Sequence, residues 1–229
     1  MIKIAAIYTG ISPALMDVVE SEAKKALAGL PGLDYQWLTF ADPGVLAELM
    51  DSVGICTKTA YSRMIDMYWN AVKAGACVIY NICSSVGEIA AASAPLIKKA
   101  GVGFVRIDDA MALHAVKNYR RIGVVATVPT TLGPTCALIK QHAANIGEAP
   151  AITEILASGA YGKPVNEQTA AIIEAASAFS READAFLLAQ ASMTACEDGL
   201  RAACGLPVLS SPGFGASALY NEVKAIIGM

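Results

Sequence analysis

Histidine is scarce in this chain: His114 and His142 are the only two, and neither a CxxC nor an HExxH pattern occurs. A metal site of the usual histidine and thiolate types is therefore not expected. Both histidines fall in stretches that read as helical, where packing or surface roles are expected. Gly-rich phosphate loops are missing too, so neither common way of cradling a diphosphate is available and a nucleotide is not expected. There is no basic excess: 17 Lys and Arg stand against 20 Asp and Glu, a formal charge of -3, spread along the chain. That argues against nucleic acid as a partner. The longest uncharged run, Ile122 to Ile139, is broken by Pro129, Gly133 and Pro134 and is rich in threonine, which excludes a membrane helix. The chain opens directly on a strand-like run, Ile2 to Tyr8, rather than on the charged start and apolar core of a signal peptide, so a cytoplasmic location is expected. Tyr and Trp are too few and scattered to mark an aromatic pocket, and Trp37 and Trp69 are assigned to packing.

What is present is apolar bulk. With 229 residues and 55% hydrophobic content, the chain can build a large core as one α/β domain or as two lobes. The six cysteines, at 56, 77, 83, 136, 196 and 204, lie mostly in apolar or helical surroundings and read as reduced thiols rather than a disulfide framework. Strand-like runs alternate with amphipathic helical stretches, the pattern of a parallel sheet covered by helices.

The two halves echo each other. Lys3 to Pro13 matches Arg121 to Thr131 at an offset of 118 residues: a basic residue, a buried strand, then a threonine in a hydroxyl-rich turn. Ala76 to Ser85 likewise matches Asp184 to Met193, a buried strand opening into a small polar turn. The echo predicts an α/β protein of two pseudo-symmetric, doubly wound lobes, Rossmann-like or flavodoxin-like, with parallel sheets and an inter-lobe active-site cleft at the carboxyl ends of the strands. Lobe one is expected over 1–113 and 212–229, and lobe two over 114–211. Gly215 to Met229 reads as a helix with Ala216, Leu219, Val223 and Ile226 on one face, returning to lobe one.

Four helix starts are predicted near those strand ends. Ser12 followed by Pro13 is an N-cap with proline at the first helical position. Ser85 to Glu88 and Thr194 to Glu197 have capping-box spacing, and Thr130 and Thr131 supply the fourth. N–H groups and aligned dipoles favour an anion there, and without a phosphate loop a small carboxylate is the expected partner. Cys83 stands out because the apolar run from Cys77 ends on it, just before Ser84 and Ser85. A thiol beside unpaired N–H groups at a helix start can be reactive; a core cysteine closing a buried strand is the plainer alternative.

With these residues the chain resembles the aspartate/glutamate racemase superfamily, which includes glutamate, aspartate and hydantoin racemases, maleate isomerases and arylmalonate decarboxylases. The resemblance spans essentially the whole chain, and Cys83-Ser84-Ser85 stands where that family has Cys-Asn-Thr or a relative. It implies a cofactor-independent enzyme in which Cys83 takes or gives the proton next to a carboxylate or carbonyl of a small acid, while Thr9, Ser84, Ser85, Thr127, Thr130, Thr131 and Ser192 bind the substrate. Racemases of the group carry a second cysteine in lobe two, in a Leu-Gly-Cys turn. Here Leu188-Ala189-Gln190 puts Gln190 in that place, and an amide cannot carry the proton as a thiol does. Cys196 lies six residues on. The expectation is a racemase- or epimerase-type isomerase with Gln190 in the partner position, donating to an enolate-like oxygen. A one-thiol decarboxylase or same-face isomerase, and a non-catalytic protein that binds small carboxylates, stay open. The apolar composition permits a homo-oligomer. Lys58 and Arg63 either reach a second carboxylate or lie on a solvated helix face; Asp108 and Asp109 are expected to cap the next helix, and Lys163 to lie in a surface loop.

Overall fold

In the computed structural model, which describes residues 1–229, the first strand-like run forms β1 (Ile2–Tyr8). It is buried on both faces from Ile4 onward, which is why its sequence is apolar without alternation. It is followed by α1 (Pro13–Leu27), β2 (Tyr35–Ala41), α2 (Pro43–Asp51), α3 (Lys58–Lys73), β3 (Val78–Asn81), α4 (Gly87–Lys99) and β4 (Gly103–Arg106). These strands pair in parallel in the order β2-β1-β3-β4. Next come α5 (Asp109–Asn118), β5 (Arg121–Ala126), α6 (Pro129–Ile146), β6 (Ala151–Leu156), α7 (Val165–Ser177), β7 (Ala185–Leu188), α8 (Glu197–Cys204) and β8 (Val208–Leu209). Their parallel sheet has the order β6-β5-β7-β8, and the chain ends in α9 (Ser211–Ile226). The chain divides into two compact units, residues 1–107 with 212–229 and residues 108–211. The α/β plan of two lobes, each with a parallel sheet and flanking helices, is the one the sequence echo predicts.

The strand register fixes which residues of the two units are equivalent. Ile4 stands opposite Val78 and Ile122 opposite Ala185. With β1 and β5 offset by 118, β3 and β7 are therefore offset by 107, not by the 108 that the sequence echo suggests. The echo sets Cys83 against Ala191; the pairing sets it against Gln190. A one-residue slip matters because successive side chains point to opposite faces of a strand.

Each unit has its own apolar core. In the first, Ile7, Ile79, Met64, Tyr68, Ile89 and Phe104 pack together; in the second, Val125, Ile172, Phe186, Leu188, Met193 and Leu200 do. On α9, Ala216, Leu219 and Val223 are buried, whereas Ile226, expected on the same face, is 40% exposed at the helix end. Gly215 of α9 allows a close approach within the first unit: a Cβ there would meet the Tyr80 hydroxyl and lie 2.8 Å from the Ile107 carbonyl oxygen. No helix is long and apolar enough to cross a membrane.

Candidate active site

In the first unit the strand order reverses between β1 and β3, and ligands of open α/β sheets bind outside the carboxyl ends of the strands at such a switch point. Ile7 and Asn81 are paired across these strands. Two residues beyond each pair member stand Thr9 and Cys83, which the register brings to the same height. Cys83 has an extended backbone and leads into a 3-10 turn, Ser84–Val86, before α4 begins at Gly87. Ser84, Ser85 and Thr9 are buried, while Cys83 retains partial exposure.

The Cys83 sulfur sits at the N-cap position of that turn without closing a capping hydrogen bond. Burial pushes its thiol above the ordinary value of 9.0, against the Thr9 hydroxyl, the Ser85 and Val86 N–H groups and the Ser85 hydroxyl, all of which favour thiolate. The direction is opposite to that expected of a thiol activated by a helix start, because desolvation outweighs four favourable neighbours. Cys83 therefore holds its proton more tightly than an ordinary thiol, among groups that favour the thiolate once the proton has left.

The predicted capping box at Ser85 does not form. The residue at the N-cap of α4 is Val86, with no side-chain cap, and Glu88 accepts a hydrogen bond from the Tyr61 hydroxyl at 2.7 Å instead. Arg106, at the end of β4, donates to the Gly87 carbonyl at 3.2 Å; a Cβ on Gly87 would lie 2.7 Å from its guanidinium. Beneath the turn, Asn81 donates to the Cys83 carbonyl at 3.0 Å and accepts from the Tyr68 hydroxyl at 2.8 Å. Cys56 packs on the same core as Cys83, and burial with the neighbouring Glu88 and Cys83 pushes its thiol up to about 11. Sequence reasoning missed Asn81, Tyr68, Arg106 and Cys56. The one available signal was an amide inside the apolar run that ends at Cys83.

The second unit repeats the geometry with different chemistry. Val125 pairs with Leu188, so Thr127 and Gln190 occupy the places of Thr9 and Cys83. Gln190 Oε1 accepts from the Thr127 backbone N–H at 2.7 Å and from its hydroxyl at 2.9 Å. With the oxygen taken twice, the Gln190 NH2 is the group able to donate. Gln190 leads into a 3-10 turn, Ala191–Cys196, and α8 starts after it without a side-chain cap. The predicted capping box at Thr194 is therefore absent: its hydroxyl donates to the Ala191 carbonyl at 2.8 Å. Thr130 and Thr131 are buried in the first turn of α6 rather than capping it; Thr131 donates to the Val128 carbonyl at 3.1 Å, and Val128 is the N-cap residue. Ser192 is exposed. Cys196 is fully buried, its sulfur 3.5 Å from Gln168 Oε1.

Arg63 is bound to Asp42, with Nε to Oδ2 at 2.7 Å and a second contact through Nη2, and Lys58 is exposed at the start of α3. Asp108 occupies the N-cap position of α5 but does not cap it, and Asp109 lies 3.0 Å from His142 Nε2. His114 is half-buried with its ring near Tyr119, and Lys163 is exposed. Trp37 packs edge-on against Tyr80, whereas Trp69 is 37% exposed and only partly used in packing. No group of three or more His, Cys, Asp and Glu side chains is placed to hold a metal ion.

The model of a family described as Asp/Glu/Hydantoin racemase matches residues 56–219. Solved structures match over nearly the full chain. A glutamate racemase from Bacillus anthracis superposes with a TM-score of 0.72 at 14% identity, over 99% of this chain and 83% of that one. An allantoin racemase from Klebsiella pneumoniae gives 0.65 at 16% identity, over 100% and 89%. An unliganded arylmalonate decarboxylase gives 0.56 at 17%, over 100% and 94%. At these identities the likeness is one of fold. No curated protein shows significant sequence similarity to the chain.

Proposed function

Since the chain belongs to the Asp/Glu/hydantoin racemase family, we propose that it is a cofactor-independent enzyme that moves a proton at the carbon next to a carboxylate or carbonyl of a small acid. Cys83 is the acid/base, and Thr9, Ser84 and Ser85 supply hydroxyls and N–H groups for the substrate. Gln190, with Thr127 behind it, enters the proposal as a neutral hydrogen-bond donor to the enolate-like oxygen; Thr130, Thr131 and Ser192 are proposed to assist in binding. The observation that carries the reading is the register of Thr9 with Cys83 at the switch point, with donors gathered around the sulfur. Preorganised donors of this kind contribute most where negative charge develops, and the thiol adds general acid/base catalysis of about 10²- to 10⁴-fold. Six unpaired cysteines fit a reducing compartment, in keeping with a cytoplasmic protein.

A second reading within the same site has an observation of its own. Racemisation through a planar intermediate needs an acid and a base on opposite faces, and Gln190, bound through its oxygen to Thr127, cannot carry a proton. A one-thiol reaction avoids that need. In a decarboxylase the carboxylate leaves as CO2, its bonding pair stays behind as an enolate, and Cys83 delivers its proton to the carbon before water reprotonates the sulfur. In a same-face isomerase Cys83, as the thiolate, takes the proton from one carbon and returns it to the adjacent one.

The test is incubation in D2O with small carboxylic acids, amino acids, hydantoins and substituted malonates, followed by NMR for wild type and Cys83→Ser. Deuterium uptake that depends on Cys83 is the expected result, with inversion marking a racemase and CO2 release a decarboxylase. Ligand binding without exchange, unchanged in Cys83→Ala, would mean a binding protein and overturn the enzyme reading.

A further inference from the structure

We infer that Asn81 is a positioning residue for Cys83, locked in place by Tyr68. The inference rests on the reading of Cys83 as the proton-transferring group. Asn81 ends β3 and is fully buried, a place where an amide is tolerated only with its polar atoms bonded. The Cys83 carbonyl oxygen can only accept, so the NH2 of Asn81 must face it, at 3.0 Å; Oδ1 then faces Tyr68, whose hydroxyl donates at 2.8 Å. Tyr68 comes from α3 and is 1% exposed, so its bond to Asn81 is shielded from solvent.

The sheet does not need this amide. The Asn81 backbone is paired with Ile7 on one side and Arg106 on the other, and its carbonyl accepts from the Ile107 N–H at 3.0 Å. What the amide adds is a fixed height and plane for the peptide between Cys83 and Ser84. That peptide opens the turn whose next N–H groups, those of Ser85 and Val86, favour the thiolate form of Cys83. Rotating the Cys83 carbonyl away from Asn81 would shift both N–H groups relative to the sulfur. Asn81 thus acts through the segment that carries both the thiol and its donors, and its loss would change the sulfur's proton affinity without removing any group that touches a substrate.

The experiment is the pH dependence of iodoacetamide alkylation at Cys83, read on the Cys83 peptide by mass spectrometry because five other thiols are present, in the wild type, Asn81→Leu and Tyr68→Phe. The wild-type midpoint is expected above 9.0, from burial. In both variants it should rise further, by about one pH unit, the scale of losing aligned donors to the charged form. Tyr68→Phe removes one oxygen only, so it keeps the test decisive should Asn81→Leu fold poorly. An unchanged midpoint in a folded variant, with only the melting temperature lowered, would show a purely structural role and overturn the proposal. On an acid found to exchange with Cys83, the variants should lose about 10- to 100-fold in kcat with KM within about threefold, as a misplaced reacting group does. If Cys83→Ser keeps exchange, the reading of Cys83 as the proton-transferring group fails while the alkylation midpoints still decide the role of Asn81. Conversely, loss of exchange in Cys83→Ser with normal midpoints in the Asn81 and Tyr68 variants rejects the positioning role alone.

Discussion

Cys83 and Gln190 occupy equivalent places yet present opposite chemistry. The thiol can give up a proton, whereas the amide uses its oxygen on Thr127 and has only N–H groups to offer. Gln190→Glu separates the two halves of that amide. A glutamate keeps an oxygen for the Thr127 N–H and hydroxyl but loses the NH2. On the proposed donor role of Gln190, Cys83-dependent exchange should fall about 10²- to 10³-fold, the scale of losing one oxyanion donor, and the carboxylate, placed where Gln190 is buried, should also lower stability. Gln190→Leu leaves the buried Thr127 groups unpaired and should cost about 1–3 kcal/mol of stability. Urea unfolding with D2O exchange on both proteins checks this; full activity in the glutamate variant would remove Gln190 from the chemistry. From sequence alone, Gln190 was visible only through its resemblance to a Leu-Gly-Cys turn, because the internal echo was one residue out of register. Nothing local in Asp184 to Met193 corrects that slip; the correction comes from hydrogen bonding to β5.

At the level of elements, helix starts were legible where both determinants are local and misleading where a strand dictates the turn. Ser12 caps α1 as its Ser-Pro pair predicts, accepting from the Leu15 N–H. Ser85 and Thr194 have the right spacing for a capping box, but each follows a residue, Cys83 or Gln190, that is still extended two residues beyond the end of its strand. The chain then makes a 3-10 turn first, and the helix starts late, past the serine or threonine. Thr57, by comparison, escaped notice and caps α3, accepting from the Ala60 N–H at 3.1 Å while its hydroxyl binds Glu48. Ser12→Ala and Thr57→Ala should therefore each cost about 1 kcal/mol. Thr194→Ala, which removes a hydroxyl donating to a carbonyl inside a turn, should cost less than either. Urea unfolding followed by circular dichroism ranks the three; a cost for Thr194→Ala equal to the others would restore it as a cap.

Over the whole molecule, the same strand order is built twice, and each copy places its polar turns at the carboxyl ends of the two central strands. The repeat was readable because buried parallel strands are continuous apolar runs, easily seen and easily matched. The completion of the first unit was less so. Its last helix, α9, follows the second unit in sequence, and the closeness of its fit depends on a glycine that no periodicity marks. A Cβ on Gly215 would lie 2.7 Å from Ile107 Cγ1 and 2.8 Å from the Ile107 carbonyl, and backbone cannot give way as a flexible side chain can. Gly213, in the same helix, has nothing nearer than Glu22 Oε2 at 4.0 Å. Alanine favours a helix over glycine by about 1 kcal/mol, so Gly213→Ala should be neutral or stabilising. Gly215→Ala gains the same helix preference but overpacks the contact, and should lose about 1–3 kcal/mol. Both tryptophans, Trp37 and Trp69, lie in the first unit, so tryptophan fluorescence reports that unit alone. In urea its transition should move to lower denaturant in Gly215→Ala and not in Gly213→Ala. Equal midpoints for the two variants would mean that α9 is not seated closely enough on the first unit for its stability to depend on it.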